Sequence, residues 1–353
     1  MIKPIKLWKS YSDQIDLLEQ RGLKITNRTK ALEYLERIGY YRLSGYWYPF
    51  RQTDQTLNKK LDQFIESCSF EQAVQLYIFD KKLRLLVLDA IERIEMAVRV
   101  DIAYCLGKLH PLAHLQASSF HGNFSARQAK GKTQTAHQIW VDKYQECIRR
   151  NAKTAFVKHH AHEYGGQLPV WVAIELWDFG MMSTLFSGMQ KQHKDQLAQK
   201  YGIADGETFA KWLRSLNHIR NISAHHSRLW NANIVDRSDV PTNLATYQLK
   251  NAKPFLYLCL MKQLLNVICP NSTWGERMKQ LFFDFPLKNH AVVSALDTGC
   301  IEGWEKWELW KNKSQHVHYQ NYNNEEVLGV LQILLSKPAR KSKRFYALIT
   351  KTR

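Results

Sequence analysis

The chain has 353 residues, 45% of them hydrophobic, and its 50 Lys and Arg against 32 Asp and Glu give a formal net charge of +18. That length allows one large core or two coupled cores, and that charge attracts polyanions such as nucleic acid. The six cysteines form no Cys-x-x-Cys pair, which argues against a zinc site and favours reduced thiols. A Walker loop, a dinucleotide fingerprint and a paired-carboxylate metal site are all missing, which disfavours NTPases, oxidoreductases and DNA nucleases.

Two segments bear on where the protein works. The first twenty residues contain three lysines, so we expect no secretory signal. The longest apolar stretch, 255–268, is interrupted by Lys262, Gln263 and Asn266 and is too short to span a bilayer. We therefore expect a cytoplasmic protein that does not engage a membrane.

Apolar residues recur every three or four positions over much of the chain, which predicts an all-α fold. Six aromatic residues within 40–50 predict a packed aromatic corner, although a surface that stacks on bases has a similar composition. Over about 71–106 the apolar spacing predicts one long amphipathic helix, with Glu92, Glu95 and Arg99 on a common face. These three side chains could pair within the helix, or they could orient an arginine from a neighbouring helix.

Further helices are predicted beyond a loop at 121–131 that is rich in Gly, Ser, Asn and Gln. Pro169 fits the first turn of a helix that runs to about residue 189. Glu175 lies in the apolar run of that helix and needs a partner if it is buried. Later in the chain we expect helices at about 206–222 and 252–268 and a packed helical stripe formed by Trp304, Trp307 and Trp310.

The residues most suggestive of chemistry are Arg220, followed directly by Asn221, and His225. A permanent cation, an amide and an imidazole can hold a phosphodiester and move protons around it without a metal. On an ideal helix Arg220 and His225 lie roughly 140° apart, so either the helix breaks near Ser223 or the site combines groups from more than one element or chain. The alternative is a helix N-cap at Asn221 or Ser223 beside a hydrogen-bonded core histidine.

Four blocks of sequence stand out: 14–18, 21–23 and 38–46; 91–95 with Arg99; 168–171 with Glu175 and 179–180; and 216–217, 220–221 and 224–231. Together they resemble the Abi-like (abortive infection, AbiD/AbiF-type) branch of the HEPN superfamily. They occur in the family's order over about residues 11–235, and the superfamily's signature of Arg, a polar residue, a short spacer and His is matched by Arg220, Asn221 and His225. We find no comparable match after about residue 240.

The resemblance implies a HEPN-type helical bundle at 66–270, with helical additions at 1–65 and 271–353. It also implies a metal-independent endoribonuclease that acts against phage or as a toxin, with no cofactor. In that reaction His225 is the general base or acid, Arg220 stabilises the phosphoryl oxygens, and Asn221 orients the phosphate or the imidazole. The auxiliary candidates are His226 and Arg228, and the candidates for positioning the arginine are Glu95 and Glu175.

The partners that we expect are an RNA substrate, an inhibitory small RNA or antitoxin, and a second copy of the chain. A homodimer would place two copies of His225 at one phosphate; in a monomer, His226 or His218 would have to supply the second proton carrier. A non-catalytic protein of the same fold that binds RNA or a partner remains the alternative. Basic residues are dense at 121–160 and 337–353, and the residues predicted to bind RNA are Arg127, Lys130, Lys132, Arg149, Arg150, Lys153 and Lys158.

Overall fold

The computed structural model describes residue 5 and residues 7–311, and helices joined by loops make up most of this part of the chain. The sheet found there is an antiparallel hairpin of two strands, so the predicted all-α fold is confirmed. The basic end of the chain at 337–353 lies outside the described residues. In chain order the elements are α1 (Tyr11–Gln20), α2 (Arg28–Ile38), α3 (Tyr40–Trp47), β1 (Arg51–Asp54), β2 (Lys59–Phe64), α4 (Phe70–Gly107), α5 (Gly122–Ser125), α6 (Ala136–Arg150), α7 (Ala155–Glu163), α8 (Val170–Ala173), α9 (Phe179–Gly188), α10 (Lys191–Lys200), α11 (Gly206–Ala224), α12 (Pro254–Ile268) and α13 (Trp274–Phe283).

The longest of these elements is α4, a single helix of 38 residues that begins with a capping box. The Ser69 side chain accepts a hydrogen bond from the Gln72 amide at 3.2 Å, and the Gln72 side chain accepts one from the Ser69 amide at 2.8 Å. Buried apolar positions then recur every three or four residues from Leu76 to Leu106. The helix predicted at 71–106 is therefore confirmed to within one residue at each end.

Most of the core forms where other helices pack on α4, among them α3, α8, α9, α11, α12 and α13. On α12 almost every residue from Pro254 to Leu265 is buried, and Pro254 occupies the first turn, where its missing N–H costs nothing. At the start of α13 the Trp274 indole donates to the Leu86 carbonyl at 2.7 Å. Packing on α4 thus crosses the boundary expected at 270, and the division into three regions stays a prediction.

The prediction of one continuous helix at 169–189 is wrong, because the region contains two helices separated by a break. Pro169 precedes α8 as its N-cap residue, a short 3-10 turn follows at 174–176, and the chain is extended at Trp177. A new helix, α9, then begins because the Asp178 side chain caps it by accepting from the Met181 amide at 2.7 Å. The break leaves Glu175 exposed, so it needs no buried partner.

The structure also bears on the predicted loop at 121–131, the aromatic corner and the tryptophan stripe. The loop expected at 121–131 contains α5, a four-residue helix. Tyr46, Trp47 and Phe50 are buried, which confirms a packed aromatic corner around α3, while Tyr41 stays 91% exposed. The tryptophan stripe is packed but is not one helix, because it spans two separate 3-10 turns at 304–306 and 308–310, and its middle residue stacks on Tyr247.

Candidate functional site

The signature residues lie at the C-terminal end of α11. The helix continues without a break through Ala224, and the backbone then turns at His226, which has a φ of +58°. The His226 amide donates to the Ser223 carbonyl at 3.2 Å and the Ser227 amide donates to the Ile222 carbonyl at 2.9 Å, which is a Schellman motif. A break near Ser223 is therefore excluded, and so is an N-cap at Asn221 or Ser223. The other alternative, a site that combines groups from more than one element or chain, stays a prediction.

His226 occupies the position of this motif that glycine usually fills. A left-handed conformation costs a residue with a side chain about 1–2 kcal/mol, so other contacts must hold the turn in place. Two of these contacts involve arginines: Arg42 Nη1 donates to the His226 carbonyl at 2.6 Å, and the Arg228 guanidinium donates to the Gly45 carbonyl. Arg228, an auxiliary candidate from the sequence, therefore ties this segment to α3.

A buried carboxylate on α4, that of Asp80, holds the chain after this turn. It accepts hydrogen bonds from the Leu229 amide at 3.0 Å, the Trp230 amide at 2.7 Å and the Tyr46 hydroxyl at 2.7 Å, and it pairs with Arg84. Burial raises the pKa of the Asp80 carboxyl, while Arg84 and the other donors oppose that rise. We call these contacts of Asp80 the lock, because they hold the chain after α11 on α4. They were not predicted, although an aspartate inside the apolar pattern of a predicted helix was a visible signal.

Arg220 lies on the side of α11 that faces α4 and α9. Its Nη1 donates to Asn221 Oδ1 at 3.2 Å. Its charge also acts on two carboxyl groups, because it lowers the pKa of both Glu95 and Asp178. Burial nevertheless leaves the pKa of Glu95 above its usual value. Of the two glutamates predicted to position the arginine, Glu95 is thus near Arg220.

Arg99 and Lys143 complete this polar cluster. Arg99 pairs with Glu95, as the helix spacing predicted, and it also donates to the Trp177 carbonyl at the break before α9. Lys143 Nζ on α6 lies 2.7 Å from Asp178 Oδ2. Burial raises the pKa of Asp178, but Lys143, the Met181 amide and Arg220 outweigh that effect and hold the pKa below its usual value. The cluster thus contains three cationic side chains and two carboxyl groups.

His225, unlike Arg220, lies outside this polar cluster, at the end of α11. It is the C-cap residue of α11, and its backbone amide donates to the Asn221 carbonyl at 3.0 Å. Its ring is exposed and forms no hydrogen bond or ion pair with residues 7–311. Along the helix, His218, Asn221 and His225 follow one another at spacings of three and four residues, so they share one face. Asn221 lies on that face between the two histidines, and its side chain also contacts Arg220.

The residues predicted to bind RNA are all exposed, and they lie on several elements rather than on one. Arg149 and Arg150 end α6, where Arg150 pairs with Glu146. Because Lys143 on the same helix reaches Asp178, α6 runs from the Arg220 cluster toward these two arginines. The others lie before α6, between α6 and α7, or on α7: Arg127, Lys130, Lys132, Lys153 and Lys158.

The described residues contain neither a cluster of metal-ligating side chains nor a helix that could span a membrane. Within residues 7–311 there is no group of three or more His, Cys, Asp or Glu side chains that could hold a metal ion. In the same part of the chain, the helices are too short or too polar to cross a membrane.

Comparison with known proteins gives one finding. The model of a family described as Abi-like protein matches residues 33–231, which is more than half of the chain. The match includes Asp80, Glu95, Asp178, Arg220 and His225, and so it covers both the lock and the signature. No curated protein and no solved structure matches the chain significantly.

Proposed function

The chain belongs to the family of Abi-like proteins, whose description suggests a part in abortive infection defence, and on that premise we propose that it is a metal-independent endoribonuclease. The observation that carries the proposal is the exposed ring of His225. It is held at a locked helix end, on one face with Asn221, and it has no partner among residues 7–311. An imidazole presented in this way can accept or donate a proton on a bound ligand.

RNA suits this set of groups because it carries its own nucleophile, the 2′-hydroxyl. Cleavage then requires removal of the 2′ proton, stabilisation of charge on the phosphorus, and protonation of the leaving 5′-oxygen. His225 performs one of the two proton transfers. Arg220 stabilises the phosphoryl oxygens, a task that suits its planar fork of donors better than the point charge of a lysine.

We assign Glu95 and Asp178, the two carboxylates near Arg220, the role of positioning the arginine side chain. Arg220 lowers the pKa of both groups, so both carboxylates attract its guanidinium. Both carboxylates are paired with other cations, Glu95 with Arg99 and Asp178 with Lys143. Arg220 is therefore attracted to the cluster but forms no ion pair with either carboxylate. Its guanidinium keeps N–H donors for a phosphate.

The partners follow from the same proposal. RNA would lie on the exposed basic residues around α6 and α7, whose charge acts on any sequence alike. A toxic nuclease needs restraint, which an inhibitory small RNA or an antitoxin would provide. A homodimer, in which two copies of His225 face one phosphate, stays a prediction. An RNA-binding or partner-binding protein without nuclease activity stays the alternative function.

Cleavage and binding must be measured on the same variants to separate these two functions. We expect the wild-type protein to cut RNA in EDTA, and Arg220→Ala and His225→Ala to lower the rate by about 10²–10⁴ while RNA affinity falls far less. Arg37→Ala is the matched control for Arg220→Ala, since Arg37 is exposed on α2 and lies outside the site and the surface around α6 and α7. RNA binding without cleavage under any condition would favour the non-catalytic alternative.

A further inference from the structure

The solvent-facing side of α11 forms a continuous polar stripe that leads to His225. Its members repeat at spacings of four and three residues, the period of one helix face. His218 lies seven residues before His225, which is two turns or about 10 Å along the axis, and Asn221 lies between the two histidines. The stripe consists of Glu207, Lys211, Arg214, His218, Asn221 and His225.

A carboxylate is placed next to His218 by a loop that is fixed on α11. His218 Nδ1 lies 3.6 Å from Asp236 Oδ2, and the His218 side chain keeps 27% of its surface exposed. The loop is anchored by Ser238, which is buried and lies 2.7 Å from the Ser215 hydroxyl. Lys211, two stripe positions before His218, reaches Asp239 at 2.7 Å. The buried contact between Ser215 and Ser238 therefore holds Asp236 next to the ring of His218.

A histidine beside a carboxylate is a common arrangement for proton transfer. The carboxylate orients the ring and stabilises the imidazolium form. His225, in contrast, has no acidic partner among the described residues. Between them, Asn221 Oδ1 accepts from Arg220 Nη1 at 3.2 Å, which leaves the Asn221 amide hydrogens free to donate to a phosphate. The face thus offers an imidazole, an amide and a second imidazole in a line.

We propose that His218 is the second proton carrier of the reaction, supplied by the same chain, with Asp236 as its positioning residue. This inference rests on the proposed endoribonuclease function. A ring nitrogen of His225 takes the proton of the 2′-hydroxyl as the 2′-oxygen bonds to phosphorus. His218 gives its ring proton to the 5′-oxygen as the P–O5′ bond breaks, which leaves a 2′,3′-cyclic phosphate and a 5′-hydroxyl. One proton is taken up and one is released, so no further reactant is needed.

The test uses an RNA with a single 5′-bridging phosphorothioate at a linkage that the wild-type protein cuts, together with its all-oxygen counterpart. A thiolate leaves without being protonated, so an acid catalyst becomes unnecessary. We expect His218→Ala to cut the oxygen substrate about 10²–10³ times more slowly than wild type and the sulfur substrate at a near wild-type rate. Asp236→Asn should show a smaller loss with the same rescue, and His225→Ala should stay slow on both substrates.

Lys211→Ala is the matched control, because it lies on the same face and pairs with the same loop but carries no titrating ring. It should cut both substrates as wild type does. A loss in His218→Ala that sulfur does not rescue would indicate a structural role and overturn the inference.

The inference is an alternative to the predicted homodimer, in which the second imidazole comes from the other chain, and mixing the two kinds of chain distinguishes them. If one chain supplies both imidazoles, excess His225→Ala chains should leave the activity proportional to the wild-type chains present. Depressed activity would show a shared site and contradict the inference. Failure of the wild-type protein to cut any RNA would remove the proposed function as well, whereas unimpaired cleavage by His218→Ala removes the inference alone.

Discussion

The segment after α11 and the exposed face of α11 differ in how completely their polar groups are paired. Asp80 is fully buried and receives two amides, a hydroxyl and an arginine. His225, a few residues away from the amides that Asp80 binds, is exposed and has no side-chain partner within residues 7–311. The paired carboxylate fixes the backbone, whereas the unpaired imidazole can serve the proton transfer that we propose.

The largest effect is expected at the lock. Asp80→Asn removes the charge that balances buried Arg84, so we expect a loss of about 3–5 kcal/mol in the free energy of unfolding. Urea titration followed by circular dichroism measures it. Asp239→Asn is the control, because its pair with Lys211 is exposed and should contribute under about 1 kcal/mol. Equal losses in the two variants would show that Asp80 does not hold the segment.

The His114 ring differs from both Asp80 and His225, because it is buried and also lacks a hydrogen-bond partner. The His114 ring is fully buried against Tyr144, with ring centroids 5.2 Å apart, and neither of its nitrogens has a hydrogen-bond partner. Burial, helped by repulsion from His137, lowers the pKa of His114 to about 4. The unfolded chain takes up this proton near pH 6.5 and the folded protein only near pH 4, so stability is lost as pH falls between these values, by up to about 3 kcal/mol.

His114→Phe should remove this acid sensitivity, because phenylalanine does not titrate and fits an aromatic environment. Thermal unfolding measured at several values between pH 7 and pH 4 is the check. His162→Phe is the control, since His162 is exposed, and it should follow the wild-type profile. An unchanged slope in His114→Phe would assign the acid sensitivity to other groups.

The next effect concerns RNA affinity. Charge reversal to Glu at Arg149, Arg150 and Lys153 should weaken RNA binding about 10- to 100-fold for all sequences alike. It should also reduce the dependence of log affinity on log salt, by about 0.7 for each lost phosphate contact on a single strand. Reversal at Lys24, Lys30 and Lys59 changes the net charge equally on exposed residues outside the predicted RNA-binding set. Equal weakening by both triple variants would show that net charge alone, rather than the surface around α6 and α7, governs binding.

The smallest effect is expected at the turn itself. His226→Gly relieves the left-handed strain and should raise the free energy of unfolding by about 1 kcal/mol, with RNA cleavage unchanged. His226→Ala keeps a side chain in that conformation and should bring no such gain. A loss of cleavage in both variants, with stability intact, would make the His226 ring part of the reaction.

Local sequence patterns were enough to place the helices that carry the site. The apolar spacing located α4 and α11, and the pairing of Glu95 with Arg99 followed from a four-residue helix spacing. The break between α8 and α9 was not visible, because it depends on Asp178 as a cap and on a bond from Arg99 to the Trp177 carbonyl, 78 residues away in sequence.

The sequence showed Asp80 as an aspartate inside an apolar helix pattern, but it did not show which groups Asp80 binds. Asp80 meets the Leu229 amide across 149 residues, and a backbone amide leaves no trace in the identity of its residue. His218 was weighed from the sequence only as one of two histidines in a monomer, because its carboxylate partner arrives on a loop anchored by two serines. Sequence patterns thus gave the elements and the signature, whereas contacts between distant segments decide which groups are paired and which are free.

The most direct test of the central claim replaces one 2′-hydroxyl. An RNA that the wild-type protein cuts in EDTA is prepared with a single 2′-deoxynucleotide on the 5′ side of the cleaved linkage. The account predicts that cleavage there stops while binding is retained, and that the unmodified RNA yields a 2′,3′-cyclic phosphate that disappears in His225→Ala. Cleavage of the 2′-deoxy linkage, or activity that is lost in EDTA, would contradict the account.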